Sequence, residues 1–275
     1  MNPDMPFTLR IGDCNCTVIA DRTAQADTAG LTERFPHVPV EELLAAARTR
    51  HPSGNHGWSY NCLLIRTGSA NILIDTGHGP GGLVRERLTT LIDPADIDRV
   101  VITHGHGDHI GGLALEDGSP AYPKAGIWYA QTDLDWWERR DLSVYGEEAA
   151  AHHKRLARVL GERLTAMATD AEIAPGIRAV PAPGHTPGHL GLMIESQGER
   201  LFALVDTLHF EVQLDHPEWC PRYDNDPATA IRTRRDLLGR AADEGLLTLI
   251  FHFPYPGLGR VRRVGDTFDW TPYAE

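Results

Sequence analysis

The chain has 275 residues, 41% hydrophobic and 23% charged, with 26 Lys and Arg against 38 Asp and Glu and a formal net charge of −12. That composition excludes a disordered or fibrous chain, and the surplus of carboxylates excludes the basic footprint of a nucleic-acid or anionic-membrane binder. The first twenty residues hold no basic segment followed by an apolar run, and no stretch approaches the roughly 18 apolar residues of a spanning helix, so a cytoplasmic protein acting on small molecules is expected.

In chain order, Tyr60–Arg66 is apolar-rich, Gly68-Ser69 supplies a turn and Asn71–Asp75 reads as a return strand, which makes a hairpin. Apolar residues at helical spacing predict a helix over 81–92, ended by Asp93-Pro94. Arg99–Thr103 is a short buried strand that runs straight into His104-Gly-His106-Gly-Asp108-His109. Gly126–Ala130 predicts another strand, Thr132 caps a helix through Trp136 and Trp137, and Glu147–Leu164 predicts a longer helix. Ile177–Val180 leads to Pro183-Gly-His185, and a hairpin of Leu190–Glu195 and Leu201–Val205 ends at Asp206. Asp226-Pro227 is an N-cap followed by proline at the first helical position, the helix runs to about Asp243, and Gly245 terminates it. Leu246–Phe251 then delivers His252 at the end of a buried strand. Strands and helices interleave without a linker, so we expect one α/β domain over 1–275. The two hairpins, each ending in an Asp, hint at a duplicated half. Cys14, Cys16, Cys62 and Cys220 lack the spacing of a zinc knuckle and read as reduced thiols.

Three imidazoles and a carboxylate within six residues, separated only by glycines, are ligand spacing for a borderline divalent cation. Bringing four such groups together without a cation is costly. Further ligands must come from elsewhere, and three later strands each end in one: His185, Asp206 and His252. Ligand sites of open α/β sheets gather beyond such carboxyl ends, so seven side chains from four segments can converge, enough for two metals. His37, His51, His56, His152, His153 and His216 read as surface residues.

The pattern Thr103-His-x-His-x-Asp-His109, with Pro183-Gly-His185, Asp206, His252 and the early Leu73-Ile-Asp-Thr-Gly77, resembles the metallo-β-lactamase superfamily from about Tyr60 to Pro256. The resemblance implies a four-layer αββα sandwich with a dinuclear site at one sheet edge. It places His104, His106 and His185 on one metal, Asp108, His109 and His252 on the other, Asp206 between them, and Asp75 behind a ligand, orienting it. Residues 1–55 fall outside the match and are expected as an N-terminal arm over the site. Val205–His209, Asp215–Trp219 and His252–Gly257 look like the branch containing methyl parathion hydrolase, with the N-acyl homoserine lactonases nearby. His209 stands where the lactonases carry a substrate-contacting tyrosine, which makes it a candidate catalytic proton donor, or a hydrogen-bonding member of its own loop. β-Lactam hydrolysis, flavo-diiron chemistry, a glyoxalase II activity and RNA processing are disfavoured by the residue at 206, by His106, by the short segment after His252 and by the lack of a large insert, respectively.

The implied cofactors are two divalent ions, zinc by preference, with iron, manganese or cobalt as alternatives. Held roughly 3.5–4 Å apart, they would bring a bridging water to hydroxide near neutral pH and polarise a carbonyl or phosphoryl oxygen, with Asp108 carrying the proton to the leaving group. Carboxylic esters, lactones and phosphotriesters all suit such a site. Phe35, Trp58, Tyr60, Trp128, Trp136 and Trp137 are candidates for an apolar wall favouring neutral or hydrophobic substrates, or else for core or a subunit contact in a homodimer. An iron-dependent persulfide dioxygenase with a single metal is the alternative on the same scaffold.

Overall fold

A computed structural model describes residues 1–26, 28–52, 56–139 and 161–274. The first of two seven-stranded sheets lays β1 (Phe7–Ile11), β2 (Cys14–Ala26), β3 (His56–Arg66), β4 (Asn71–Ile74), β5 (Arg99–Ile102), β6 (Gly126–Ala130) and β7 (Leu164–Met167) side by side in chain order. The second does the same with β8 (Glu172–Ala174), β9 (Ile177–Pro181), β10 (Leu190–Ser196), β11 (Glu199–Val205), β12 (Leu247–Ile250), β13 (Leu258–Val264) and β14 (Thr267–Pro272). Pairing is antiparallel up to β4 and parallel from β4 to β7, whereas in the second sheet only β11 and β12 are parallel.

The strands read as continuous apolar runs because both faces of each sheet are covered. Alternate residues sort between layers. Leu63, Ile65, Ile72, Ile74 and Val101 meet Leu201, Ala203, Val205, Leu247 and Leu249 in the core between the sheets. The intervening Leu64, Leu73, Val100 and Ile102 face outward, where Val84 and Leu88 of helix α3 (Val84–Thr89) cover them. Phe202, Leu204 and Ile250 face the other way, onto Leu237, Leu238 and Ala241 of a helix spanning Pro227–Asp243. The result is the expected helix–sheet–sheet–helix sandwich. That last helix keeps its expected ends: Asp226 accepts from the Thr229 N–H (3.1 Å), and Gly245 adopts φ +60°.

Two expectations change, and one hairpin is new. Residues 1–55 are not simply an arm, since β1 and β2 are integral sheet strands. The pattern of β2 is broken by a register shift between Ala20 and Arg22, which hides its alternation from a reader of the sequence. Only α1 (Thr28–Arg34) and α2 (Val40–Arg50) lie apart, packing Leu31, Phe35, Leu43 and Ala47 against Phe210, Val212 and Trp219. The helix expected over 147–164 falls mostly outside the described residues, and its last part is a short 3-10 turn (Gly161–Arg163) followed by Leu164 in β7. The hairpin β13–β14 had no counterpart in the sequence reading. All four cysteines are free, and no described helix is long and apolar enough to cross a membrane.

The duplicated-half hint has a structural counterpart. In each sheet a hairpin (β3–β4, β10–β11) ends beside an aspartate, Asp75 or Asp206, and the next, parallel strand (β5, β12) ends at a histidine, His104 or His252. Both turns bend through a left-handed non-glycine residue, Asp75 at φ +61° and Val205 at φ +51°. For β-branched Val205 this is a strained conformation, of the kind retained where surrounding structure needs a side chain aimed in one direction.

Candidate metal centre

All seven expected ligands meet at the strand ends. His104 follows β5; His106 is the N-cap residue of the short helix α4 (Gly107–Ile110), which carries Asp108 and His109. His185 lies in the β9–β10 loop, Asp206 follows β11 and His252 follows β12. Gly105 has to be glycine, because a Cβ there would lie 2.1 Å from Trp137 Nε1 and 2.4 Å from the Tyr129 hydroxyl. The sheets are joined at this end by main-chain bonds from Leu190 N–H to Thr103 O (3.1 Å) and Asn61 N–H to Phe251 O (3.2 Å), which hold the two sets of strand ends in one register.

His104 Nε2, His106 Nδ1 and His185 Nε2 form a triangle with sides of 2.9, 2.8 and 3.2 Å. Their outer nitrogens explain which atoms point inward. Thr103 Oγ1 donates to Asp75 (2.7 Å), so it accepts from His104 Nδ1 (3.2 Å), and His185 Nδ1 donates to Asp224 Oδ1 (2.9 Å). His109 Nδ1 donates to Asp75 Oδ2 (2.7 Å) and His252 Nδ1 to the Ser59 carbonyl (3.0 Å). With tautomers assigned from these partners, four imidazoles turn Nε2 lone pairs toward each other and toward Asp206. Converging lone pairs repel unless a cation lies between them, and His109 Nε2 and Asp206 Oδ1 are buried without a hydrogen-bond partner. The donor set therefore fits divalent metal, in two groups: His104, His106, His185 and Asp206, and Asp108, His109, Asp206 and His252.

Asp206 Oδ2 is the shared atom. It lies 3.0 Å from His252 Nε2, 3.2 Å from His209 Nε2, 3.4 Å from both His109 and His185 Nε2, and 3.6 Å from His104 Nε2. Asp108 Oδ2 is 3.3 Å from His109 Nε2 and 3.6 Å from His252 Nε2. Burial would raise Asp206, but the imidazoles of His109, His252 and His104 outweigh it and hold the carboxyl well below its usual range. Burial pushes His104 and His106 well below the ordinary histidine range, helped by His109 and His185 respectively. For His109 burial is outweighed by Asp206, Asp108 and Asp75, so its affinity for a proton is raised well above normal. A cation and a proton compete for the same inward position there, and cation binding releases protons.

His209 joins the site, with its Nε2 directed at Asp206 and its Nδ1 buried without a partner. Burial lowers it to about 4 despite Asp206, so the ring is neutral at pH 7 and donates from Nε2 to the carboxylate. Its ring stacks on His252 at 4.9 Å and meets Tyr223 edge-on at 4.7 Å.

Several supporting residues escaped the sequence reading. Fully buried Asp133, on α5 (Gln131–Arg139), accepts from Gly105 N–H (2.9 Å), Tyr129 OH (2.8 Å), Trp137 Nε1 (3.1 Å) and Gly188 N–H (3.2 Å), tying the 104–109 loop to the 183–189 loop. Asp224 orients His185 and is itself held by the buried Arg234 guanidinium at 2.9 Å. His189, lowered to about 3 by burial, donates from Nδ1 to Ala182 O and accepts the Asp206 N–H at Nε2, which positions the Asp206 backbone. An aspartate on a helix or a histidine after a proline-glycine turn is too common in sequences to reveal such roles. His56, expected at the surface, is buried against His51, their rings 4.9 Å apart.

The donors open into a cavity of ≈ 400 Å3 whose wall includes Arg34, Trp58, Tyr60, Phe210, Arg222 and Tyr223. Of the expected aromatic wall, Trp58 and Tyr60 line it. Phe35 is instead core beneath Phe210, Trp128 packs between the sheets, and Trp137 braces His106 at 5.7 Å with Trp136 edge-on against it.

A model of the metallo-beta-lactamase superfamily matches residues 57–251. Among solved structures, the fold is similar to AidC, a dizinc quorum-quenching lactonase in complex with a product, at TM-score 0.90 and 24% identity over 98% of both chains. It is also similar to the hydrolase AbOPH of the beta lactamase superfamily, at TM-score 0.84 and 24% identity over 98% of both chains. By sequence it is 30% identical over 183 residues to an atrochrysone carboxyl ACP thioesterase of Passalora fulva, covering 64% of this chain and 47% of that protein. The chain spans about half the length of the curated relatives it matches. With the matched segment running from β3 through the strand before His252, and with both sheets and the strand-end donors in place, this chain belongs to the metallo-beta-lactamase superfamily.

Proposed function

We propose that the protein is a dinuclear metal-dependent hydrolase that cleaves carboxylic ester, lactone or phosphotriester bonds of small molecules. The observation that carries this is the single oxygen, Asp206 Oδ2, placed within 3.0–3.6 Å of donors from both groups. His104, His106 and His185 would hold one divalent ion, Asp108, His109 and His252 the other, with Asp206 common to both; zinc suits this nitrogen and oxygen set. Two such cations supply Lewis acidity toward a carbonyl or phosphoryl oxygen and make hydroxide available near neutral pH.

The chain's own residues do the rest. Asp108 faces the cavity, and its carboxylate can take a proton from the nucleophile and pass it to the leaving group. His209 keeps Asp206 Oδ2 oriented through its Nε2 proton and forms part of the wall that receives the substrate. Trp58, Tyr60, Phe210 and Tyr223 offer apolar surface for the body of the substrate and exclude water around the scissile bond. Against the one-iron dioxygenase alternative stands the second donor group, which that chemistry would leave buried and unused. The relative named as a thioesterase performs the same class of acyl transfer to water on a sulfur leaving group, so thioesters belong in the substrate screen.

The test combines metal quantitation with hydrolysis assays on aryl esters, acyl lactones, thioesters and phosphotriesters. Two divalent ions per chain and chelator-sensitive turnover are expected. Asp206→Asn should weaken binding of both ions and reduce turnover by 100-fold or more, of the order seen when a preorganised transition-state contact is removed. Wild-type activity in a variant still holding two ions would overturn the shared role of Asp206.

A further inference from the structure

We propose that Arg34, seconded by Arg222, forms an anion-recognition subsite in the cavity, so that the cleaved molecule carries a carboxylate at the end remote from the scissile bond. This rests on the hydrolase reading above and narrows its substrate class. Elsewhere in this acidic chain Arg50 pairs with Asp215, Arg87 with Asp4, Arg234 with Asp224 and Arg263 with Asp243, and arginines without a carboxylate among the described residues, such as Arg48 and Arg85, lie exposed away from the cavity. Arg34 and Arg222 pair with none among the described residues, although both line the cavity and Glu33 lines it with them. The two are adjacent in space, since the Arg222 N–H donates to the Arg34 carbonyl (2.8 Å).

The Arg34 guanidinium is held in place for a ligand. One of its nitrogens donates to Gly30 O (2.6 Å), and its carbon sits 4.4 Å above the Trp58 ring and 5.9 Å from the Phe210 ring. Stacking on aromatic faces fixes the plane of the fork without supplying a counter-charge, and the remaining N–H groups have no protein acceptor among the described residues. A planar, fixed fork of donors matches a carboxylate. Its distance from the chemistry sets the shape of the substrate. Along one wall, Trp58 and Tyr60 (6.5 Å between centroids), then Tyr60 and His252 (5.2 Å), lie between the guanidinium and a candidate metal ligand. An anion at Arg34 therefore belongs to a group several bonds away from the reacting carbonyl or phosphoryl centre. The expectation of a neutral substrate accounted for the aromatic wall and left these two cations out.

The experiment compares two esters of equal size on metal-loaded enzyme: the mono-p-nitrophenyl ester of adipic acid and its neutral methyl ester counterpart. Wild-type protein should prefer the charged ester. In Arg34→Met the ratio of the two kcat/KM values should fall about tenfold or more, as expected for loss of a charge-assisted hydrogen bond, chiefly through KM. Arg34→Lys should recover part of the ratio, and added salt should lower it in the wild type. An equal fall for both esters, or a wild-type preference for the neutral one, would overturn the subsite. If the wild type cleaves neither ester, calorimetric binding of adipic acid monoanilide decides. Binding weakened at least tenfold in Arg34→Met upholds the subsite while the hydrolase reading falls, and binding that is absent or indifferent to Arg34 removes the subsite as well.

Discussion

Asp75 is the most informative single position, because it touches no candidate metal yet governs which nitrogen of His109 can bind one. Its Oδ1 accepts the Thr103 N–H (2.8 Å), and its Oδ2 accepts both Thr103 Oγ1 (2.7 Å) and His109 Nδ1 (2.7 Å), with the carboxyl fully buried. Asp75→Asn keeps the shape and tolerates the left-handed φ of +61°. It also keeps an oxygen for the Thr103 N–H. What it removes is the acceptor facing His109: an amide NH2 there can only be met by an unprotonated Nδ1, which moves the proton to Nε2 and blocks the inward lone pair. The lost charge-assisted bond is worth about 1.5–3 kcal/mol, and replacing such outer partners typically costs 10–100-fold in metal affinity, about 1.4–2.7 kcal/mol. The two figures agree. Zinc titration of metal-stripped protein should show the equivalent on Asp108, His109 and His252 weakened by that factor and the one on His104, His106 and His185 weakened less, since Thr103 Oγ1, which accepts from His104 Nδ1, loses the same Asp75 oxygen but can rotate to another partner. Wild-type affinity for both equivalents, or an equal loss of both, would refute the tautomer argument.

Asp133→Ala strands four buried donors and should cost about 3–5 kcal/mol in urea unfolding, with Asp133→Asn costing clearly less; equal losses would deny the hydrogen-bonding role. Asp224→Asn leaves the buried Arg234 charge uncompensated, at about 3–5 kcal/mol. Burial alone would raise Asp224, but the His185 bond and Arg234 hold it below its ordinary range, so its contribution is complete above about pH 4 and is lost as pH falls through the depressed value. The stability gap between wild type and variant should accordingly be constant near neutrality and shrink below pH 4, and a gap that widens there would contradict the pairing. Phe35→Ala removes a fully buried ring that supports Phe210 at 5.7 Å; a loss of about 3–5 kcal/mol should come with a raised KM, and a loss under 1 kcal/mol would show that the α1–α2 cluster collapses around the cavity.

Most of the candidate ligands were legible because they lie where local pattern and chemistry coincide. His104, His106, Asp108 and His109 crowd into six residues, and Asp206 and His252 each end a continuous apolar run, which by itself signals a buried strand and the sheet edge beyond it. The helix over 227–243 was equally readable from its cap and its proline. Strand β2 was not, because the register shift at Ala20/Arg22 breaks the alternation on which strand recognition depends.

What holds the candidate ligands in aim was decided only by tertiary packing. Asp133 meets Gly105 and Gly188 across 28 and 55 residues, and Asp224 meets His185 across 39. No spacing rule selects such pairs. They exist because two sheets pack face to face and bring distant loops within hydrogen-bond reach, where a buried donor without an acceptor would cost more than the loop ordering that satisfies it. The same packing set the guanidinium of Arg34, without a carboxylate partner among the described residues, on Trp58, two aromatic rings from His252. Residue types along the chain dictated which chemistry was available; the approach of the two sheets dictated which groups face one another.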